Sequence, residues 1–304
     1  MSDAGPADSA RLRSGAASLW RFGPDTASIL VRNAETVLAH LPLFLGGWPL
    51  RWTGADDASA ATPDIEIVEQ PDGAVDIAAA DHRVTFTGAM DAANGLAGAL
   101  ISAFIGRQPE MICLHAGSAV VGGGLVVLIG GSHAGKSSVA LHLAAAGYRL
   151  FGDDRIAIDL ADTAAPLGLC LGLMPKVRLP LPPDCGARFA EFVEGYSEVQ
   201  DDTAAYLKPW EGEAATFAET ARLRALVVLD RTEGAPTTVE ALGRPALLRA
   251  MIENVTAPQR DAGTLVAQLD ALARAVPGYA LGFGSSREAA AALVRSLQEG
   301  GTDG

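Results

Sequence analysis

Alternating apolar and polar positions mark the first third of the chain and predict short strands there. The alternation favours strands over residues 28–32, 64–68, 74–78 and 83–87. Pro71 and Gly73 predict a turn between the second and third strands, because proline presets φ and glycine permits a positive φ. The Ala- and Leu-rich segment 89–105 predicts a helix, and residues 56–63 predict a loop. This pattern indicates a small α+β unit over residues 19–110.

The pattern changes at Met111, where longer apolar runs alternate with helical segments. Strands are predicted over residues 113–121, 125–129, 155–160, 223–229 and 279–283, and helices over residues 137–146, 245–255, 264–276 and 285–300. Ser285 and Glu288 have the spacing of a capping box at the start of the last helix. Four prolines between residues 175 and 183 predict extended or loop structure. The order of elements favours an α/β domain over residues 111–300.

The stretch from Met111 to Ser132 lacks Asp, Glu, Lys and Arg and resembles a membrane span by composition. Three consecutive glycines, 122–124, interrupt it at its middle, and a spanning helix would not be interrupted in this way. We therefore expect two buried strands joined by a glycine turn.

Charge narrows the choice of partners. The 304 residues include 23 Lys and Arg against 36 Asp and Glu, which gives a formal net charge of −13. We expect neither a nucleic acid nor a membrane partner, because both polyanions attract basic surfaces. Only three lysines are present, Lys136, Lys176 and Lys208.

Cysteine usage and the N-terminus favour a cytoplasmic protein. The three cysteines, Cys113, Cys170 and Cys185, are far apart and form no CxxC pair, so we expect small core residues in a reducing compartment. Residues 1–18 are rich in Ser, Ala, Asp and Gly and have no apolar segment of a secretory signal, so we expect a flexible end.

A phosphate-binding loop motif is the most specific feature of the sequence. The motif GxxxxGK[ST] is matched by Gly130, Gly131, Ser132, His133, Ala134, Gly135, Lys136 and Ser137. A predicted strand precedes it and a predicted helix follows, which is the context that the motif requires. Backbone amides and the helix N-terminus bind phosphate, the lysine contacts the β- and γ-phosphates, and the serine hydroxyl ligates Mg²⁺. We therefore expect ATP and Mg²⁺ as cofactors.

Phosphoryl transfer also needs acidic residues, and two candidates compete. Asp153 and Asp154 follow the helix after the loop, and a pair of acids can divide proton acceptance and metal binding between them. Asp230 ends the apolar run 226–229, as the metal-binding acid of many P-loop proteins does.

Three motifs in sequence order resemble the catalytic core of HPr kinase/phosphorylase and its kinase-like relatives, some of which tailor lasso peptides. They are Leu114-His-Ala-Gly117, the phosphate-binding loop, and the segment 147–156, which reads GYRLFGDDRI. The resemblance implies an α/β P-loop kinase core of the HPr kinase/PEP carboxykinase-like type with a smaller N-terminal α+β domain. It is weaker outside residues 114–156.

The resemblance also implies roles for individual residues. Asp153 would be the general base for a substrate hydroxyl, Asp154 would hold Mg²⁺ with Ser137, and His115 would lie close to the reacting phosphate. Without the resemblance, a histidine in an apolar strand is typical of a satisfied core residue. His133 would have a local, nucleotide-facing position.

Two departures from the family pattern bear on the substrate. Ser138 stands where the family often has an acidic residue, and the family's signature for phosphorolysis and HPr docking has no clear counterpart. In its place, Lys176 and Arg178 alternate along an extended segment, and they are either phosphate contacts or an exposed basic pair.

Three functions are compatible with these features. The first is a kinase that phosphorylates a hydroxyl, that of serine, in a peptide or small protein recognised with help from the N-terminal unit. The second is a small-molecule kinase, and the third is a non-catalytic ATP-binding module, which Ser138 favours. The resemblance also allows a homo-oligomer.

Overall fold

The computed structural model describes residues 18–53, 62–80, 82–200, 202–208 and 212–299. The predicted flexible end lies outside these ranges except for Ser18, and so does most of the predicted loop 56–63. The protein is mixed α/β, and the described chain divides into two compact units. The first comprises residues 18–44 and 48–104, and the second comprises residues 45–47 and 105–299.

The first unit contains a six-stranded sheet in the order β3-β1-β2-β4-β5-β6. Its strands are β1 Leu19–Phe22, β2 Ile29–Arg32, β3 Leu50–Trp52, β4 Ile65–Glu69, β5 Val75–Ala79 and β6 His82–Phe86. All neighbours are antiparallel except β2 and β4. The four predicted strands are confirmed, whereas β1 and β3 were not predicted because they are short and interrupted by aromatic and basic residues.

Two helices accompany this sheet, α1 Glu35–Leu38 and α2 Ala89–Gly106. By length and composition α2 could cross a membrane, with a mean hydropathy of 1.3 over 18 residues. Its residues Leu96, Leu100 and Ile101 are buried within the unit. A methyl group on Gly95 would lie 2.1 Å from the ring of Phe86 in β6. We therefore interpret α2 as the core helix of this unit.

A ten-stranded sheet forms the centre of the second unit. Its strands are β7 Met111–Leu114, β8 Ala116–Val121, β9 Gly124–Ile129, β10 Leu150–Gly152, β11 Ile156–Asp159, β12 Leu167–Leu169, β16 Thr220–Arg231, β17 Thr238–Ala241, β18 Val255–Thr256 and β19 Gly278–Phe283. The order is β10-β8-β9-β16-β12-β11-β7-β18, with β19 beside β16 and β17 beside β19. The strand β16 is parallel to both β9 and β19.

Helices cover both faces of β9 and β16. They are α3 Lys136–Ala145, α4 Ala187–Tyr196, α5 Arg244–Asn254, α6 Ala262–Ala275 and α7 Ser286–Glu299. Side chains of α3 and α7 pack with Val126 and Leu128 on one face. Side chains of α5 and α6 pack with Val127 and Ile129 on the other. This double burial explains why β9 is an uninterrupted apolar run.

A separate three-stranded sheet lies in the same unit, in the order β13-β15-β14. Its strands are β13 Lys176–Arg178, β14 Ser197–Gln200 and β15 Ala204–Leu207. The prediction that residues 175–183 are extended or loop is confirmed. The strands β14 and β15 and the helix α4 were not predicted.

The glycine turn in the uncharged stretch is confirmed. The strands β8 and β9 are an antiparallel pair from Ala116 opposite Ile129 to Val121 opposite Gly124. Gly122 and Gly123 connect them with φ values of 59° and 79°, which only glycine adopts without strain.

Three details of the predicted elements are wrong. The predicted strand 113–121 is two strands that separate at His115, since β7 pairs with β11 whereas β8 pairs with β9. The predicted strand 223–229 extends in both directions and includes Asp230. The last helix begins as predicted, but the Ser285 hydroxyl has no hydrogen-bond partner within the described residues, so the capping-box bond is absent.

The long strand β16 contains one extra residue relative to β9. Leu223 lies opposite Leu125 and Ala225 lies opposite Val126, so Arg224 is a bulge between them. The Arg224 guanidinium donates hydrogen bonds to the Gly122 carbonyl at 2.8 Å and the Leu297 carbonyl at 2.5 Å.

Candidate active site

The glycine-rich loop, residues 130–137, connects β9 to α3, and its glycines are required by close contacts. A methyl group on Gly130 would lie 2.8 Å from the Ala134 Cβ atom. Gly135 has a φ of 92°, and a methyl group there would lie 3.0 Å from the Phe283 ring. His133 also has a positive φ, 66°. The loop therefore curves tightly into the N-terminus of α3, where free amides and the helix dipole favour an anion.

Other loop residues differ in exposure. Gly131, Ser132 and His133 are exposed, whereas Ala134 is half-buried and packs against the core beneath. Ser138 is half-buried in the first turn of α3. The exposed residues present their backbone to solvent at the top of the loop.

Lys136 lies within the loop rather than in solvent. Only 6% of the residue is exposed, and its Nζ atom donates hydrogen bonds to the carbonyl oxygens of Gly130 and Gly131 at 2.8 and 2.9 Å. Burial lowers the pKa of this lysine, and the charge of Asp154 opposes that shift. The ammonium group is therefore held where a phosphate bound by the loop would be.

Asp153 links the loop, α3 and β13. It follows β10, whose neighbour β8 pairs with β9, so the chain returns beside the loop. The Asp153 carbonyl accepts a hydrogen bond from the Ser137 hydroxyl at 3.1 Å, and its Oδ2 atom accepts one from the Lys176 amide at 3.0 Å. Only 3% of the residue is exposed, and burial raises its pKa to about 7.

Asp154 has the opposite electrostatic character. Its side chain is half exposed, with Oδ1 3.0 Å from the His115 Nε2 atom and Oδ2 3.5 Å from the Arg155 Nε atom. The hydrogen bond with His115 is the main cause that lowers the Asp154 pKa, despite partial burial. The pKa values of the two adjacent carboxyl groups are thus shifted apart. Asp153 can exchange a proton near neutral pH, whereas Asp154 stays an anion.

His115 owes its position to the break between β7 and β8. Its amide donates to the Asn254 carbonyl at 2.8 Å, and the next amide, of Ala116, donates to the Asp154 carbonyl at 3.0 Å. The His115 side chain is 47% exposed, so the alternative of a satisfied core histidine is wrong. The change of strand partner between β7 and β8 places this side chain beside Asp154.

Lys176 and Arg178 approach the loop in different ways. Arg178 donates a hydrogen bond to the His133 Nδ1 atom over 2.7 Å, which requires the neutral tautomer with its proton on Nε2. The Lys176 Nζ atom lies 4.9 Å from the centre of the Tyr206 ring, and only its backbone amide contacts Asp153. Of the two side chains, Arg178 alone contacts a loop residue in the described chain.

The end of β16 lies on the other side of the loop from Asp153 and Asp154, because β9 lies between β8 and β16. A methyl group on Gly130 would lie 3.4 Å from the Leu229 Cβ atom, and one on Gly135 would lie 3.7 Å from the Arg231 Cδ atom. Residues 229 and 231 therefore face the loop. Since side chains alternate along a strand, Asp230 faces the opposite side of the sheet.

Sequence reasoning missed Arg231. The available signal was its position next to Asp230, which ends the apolar run 226–229. Asp230 was considered at that strand end and its neighbour was not.

This chain is distantly similar to solved structures. One of them, the structure of the HPr(Ser) kinase/phosphatase from Coxiella burnetii, matches with a TM-score of 0.32 and 12% sequence identity. The match covers 63% of this chain and 99% of the other. No family model and no curated protein matches the sequence. Similarity of this size does not establish a shared fold or a shared activity.

Proposed function

We propose that this protein is a kinase that transfers the γ-phosphate of Mg-ATP to a hydroxyl group, that of serine in a peptide or small protein. The observation that carries the proposal is Asp153, a buried carboxyl group with a pKa of about 7 beside the glycine-rich loop. A general base works best when its pKa lies near the operating pH. The sequence motifs around residues 114–156 support the same activity.

The loop would bind the triphosphate of ATP. Backbone amides of the exposed loop residues 131–133 and of the N-terminus of α3 donate to phosphate oxygens. The Lys136 ammonium group would exchange the Gly130 and Gly131 carbonyl oxygens, now at 2.8 and 2.9 Å, for oxygens of the β- and γ-phosphates. The lysine ammonium group would therefore have oxygen partners both before and after ATP binds.

Ser137 and Asp154 fit a magnesium ion. Both supply oxygen donors, and Mg²⁺ is commonly held by one or two carboxylates together with substrate phosphates and water. The lowered pKa of Asp154 keeps its carboxylate ionised at neutral pH. When bound, Mg²⁺ neutralises charge on the β- and γ-phosphates.

Asp153 would act on the acceptor. Its carboxylate removes the proton from the acceptor hydroxyl while that oxygen forms a bond to the γ-phosphorus. The bond between the γ-phosphorus and the bridging oxygen breaks, and ADP leaves with the electron pair. The Asp153 pKa is raised by burial, so the carboxylate is basic enough to accept this proton.

His115 and Arg178 have supporting positions. His115 orients the Asp154 carboxylate through the contact of 3.0 Å, and Arg178 orients His133 at the crest of the loop. Arg178 is the member of the Lys176–Arg178 pair that we assign to charge neutralisation of the transferred phosphate.

Transfer from [γ-³²P]ATP into size-fractionated lysate, compared between two matched acid variants, tests the proposal. Asp153→Asn should bind ATP normally and lose transfer by about 10²–10⁴-fold, the usual contribution of a general base. Asp230→Asn should keep transfer, because Asp230 faces the other side of its strand. Phosphoamino-acid analysis of the labelled product identifies serine. Wild-type turnover in Asp153→Asn would show that the base is assigned wrongly.

Ser138 supports a second candidate, a nucleotide-dependent binding module without transfer activity. A serine at this position supplies no additional acidic ligand. In that case wild-type protein binds ATP and labels no acceptor in any lysate fraction. Labelling that depends on Asp153 would exclude this candidate.

The proposal includes a cytoplasmic protein without nucleic-acid or membrane partners. Its support is the net charge of −13 and the three free cysteines, two of them buried. A neutral or basic acceptor complements this charge. A homo-oligomer is part of the same proposal and is tested by light scattering.

A further inference from the structure

Arg231 is a cation beside the glycine-rich loop that no motif assigns. It is the last residue of β16 and lies opposite Phe283 of β19. Its Cδ atom would be 3.7 Å from a methyl group on Gly135, the residue that precedes Lys136 at the start of α3. The aliphatic part of the side chain therefore runs along the loop.

The guanidinium group has no protein partner to account for its position. The residue is exposed, and its side chain makes no hydrogen bond or ion pair with any of the residues that the structure describes. Elsewhere on the same strand, Arg224 donates to two carbonyl groups and serves the fold. Arg231 instead carries five N–H donors that no described residue uses.

The surroundings of the loop favour a ligand with several negative charges on this side. Asp153 and Asp154 approach from the β10 side of β9, and β16 approaches from the other. Lys136, Arg178 and Arg231 are cationic side chains in or beside the loop, and Arg155 pairs with Asp154. A guanidinium group binds phosphate through two parallel hydrogen bonds, which a lysine cannot do.

We propose that Arg231 is a ligand of the nucleotide's phosphate chain and contacts it from the β16 side of the glycine-rich loop. This inference rests on the proposed ATP-dependent function and adds a binding residue to it. It assigns Arg231 to the phosphates rather than to the adenine base.

Calorimetric titration of the full chain tests the inference with ATP and with inorganic tripolyphosphate, which lacks a base. Arg231→Ala should weaken both ligands by about 10- to 100-fold, as expected for a lost charge-assisted hydrogen bond. Arg231→Lys should recover only part of the lost affinity, because lysine keeps the positive charge but lacks the two parallel N–H donors of the guanidinium group. Arg222→Ala is the matched control, an exposed arginine on the same strand about 30 Å from residue 231.

The outcomes separate this inference from the proposed function. Wild-type protein that binds neither ligand would overturn both. Wild-type binding with unchanged affinity in Arg231→Ala would overturn the Arg231 assignment alone. A loss confined to ATP, with tripolyphosphate unaffected, would also overturn it by indicating a base contact. Thermal melting of each variant, with Arg231→Gln as a substitute of similar length, excludes misfolding as the cause.

Discussion

Two neighbouring carboxyl groups in one turn have pKa values shifted in opposite directions. Asp153 is buried and its pKa is about 7, whereas Asp154 contacts His115 and its pKa is lowered. The sequence located this pair, and the family resemblance divided its roles. The residue types alone could not divide these roles, because the burial of Asp153 depends on contacts with β13 and α3. These two elements are distant in sequence from one another.

Asp153 should make the stability of the protein depend on pH. Its folded pKa of about 7 exceeds the ordinary aspartate pKa of 3.8, so the folded state binds more protons between these values and stability falls as pH rises through this window. The cost is on the order of a few kcal/mol at pH 8. Asp153→Asn lacks this titration, so it should unfold at higher urea concentration than wild type at pH 8.

Urea unfolding followed by circular dichroism at pH 5 and pH 8, without nucleotide, measures this difference. Asp230→Asn is the control, since Asp230 is exposed and its loss should leave the pH dependence unchanged. Parallel pH dependence in wild type and Asp153→Asn would contradict the burial of an ionisable group at this position. A substitution that raises stability and abolishes transfer activity is typical of a catalytic residue.

The elements with strong periodicity were predictable, and the short ones were not. The strand β9 and the helix α3 are flanked by glycines and differ clearly in pattern. The strands β10, β12 and β18 have three residues or fewer, so no period can be recognised in them. The break at His115 was also hidden, because apolar residues continue on both sides of it and only the change of strand partner reveals it.

Two glycines of α2 offer a matched test of how this helix packs. Gly98 has no heavy atom within 4 Å of an added methyl group, whereas at Gly95 the Phe86 ring would be 2.1 Å away. Gly98→Ala should stabilise the protein by about 0.5–1 kcal/mol, because alanine favours helix. Gly95→Ala should destabilise it, since the clash with the ring exceeds that gain.

Thermal unfolding of the two variants compares these effects directly. Opposite shifts in melting temperature are expected. Equal stabilisation by both substitutions would show that Phe86 does not pack against α2.

At the scale of the whole molecule, average composition did not indicate the local charge at the site. The chain carries a net charge of −13, yet Arg178 of β13 and Arg231 of β16 lie beside the loop that contains Lys136. Composition limits the class of partner, whereas such a cluster depends on how the strands are ordered in the sheet.

Under the proposed function, ATP should stabilise only the unit that contains the glycine-rich loop. A ligand at one hundred times its dissociation constant adds about 2.7 kcal/mol to the unit that binds it. For a unit of this size the melting temperature should rise by about 5–10 °C. Scanning calorimetry should therefore show the transition of residues 105–299 moving with ATP and that of the first unit remaining in place.

Two lysine variants provide the control for this experiment. Lys136→Ala should abolish the shift, because the lysine lies inside the glycine-rich loop. Lys208→Ala should preserve it, since Lys208 is exposed and pairs with Glu198. A single transition that moves as a whole with ATP would contradict independent unfolding.

The bulge at Arg224 determines which residues at the end of β16 face the glycine-rich loop. Every residue after an extra residue in a strand changes face, so the insertion sets the parity of positions 225–231. If the same sequence continued from Leu223 as a regular strand, with Arg224 rather than Ala225 opposite Val126, residue 230 would take the place of residue 231 and a carboxylate would lie beside the loop. The bulge, seven positions before the end of the strand, therefore decides the sign of the charge beside the loop.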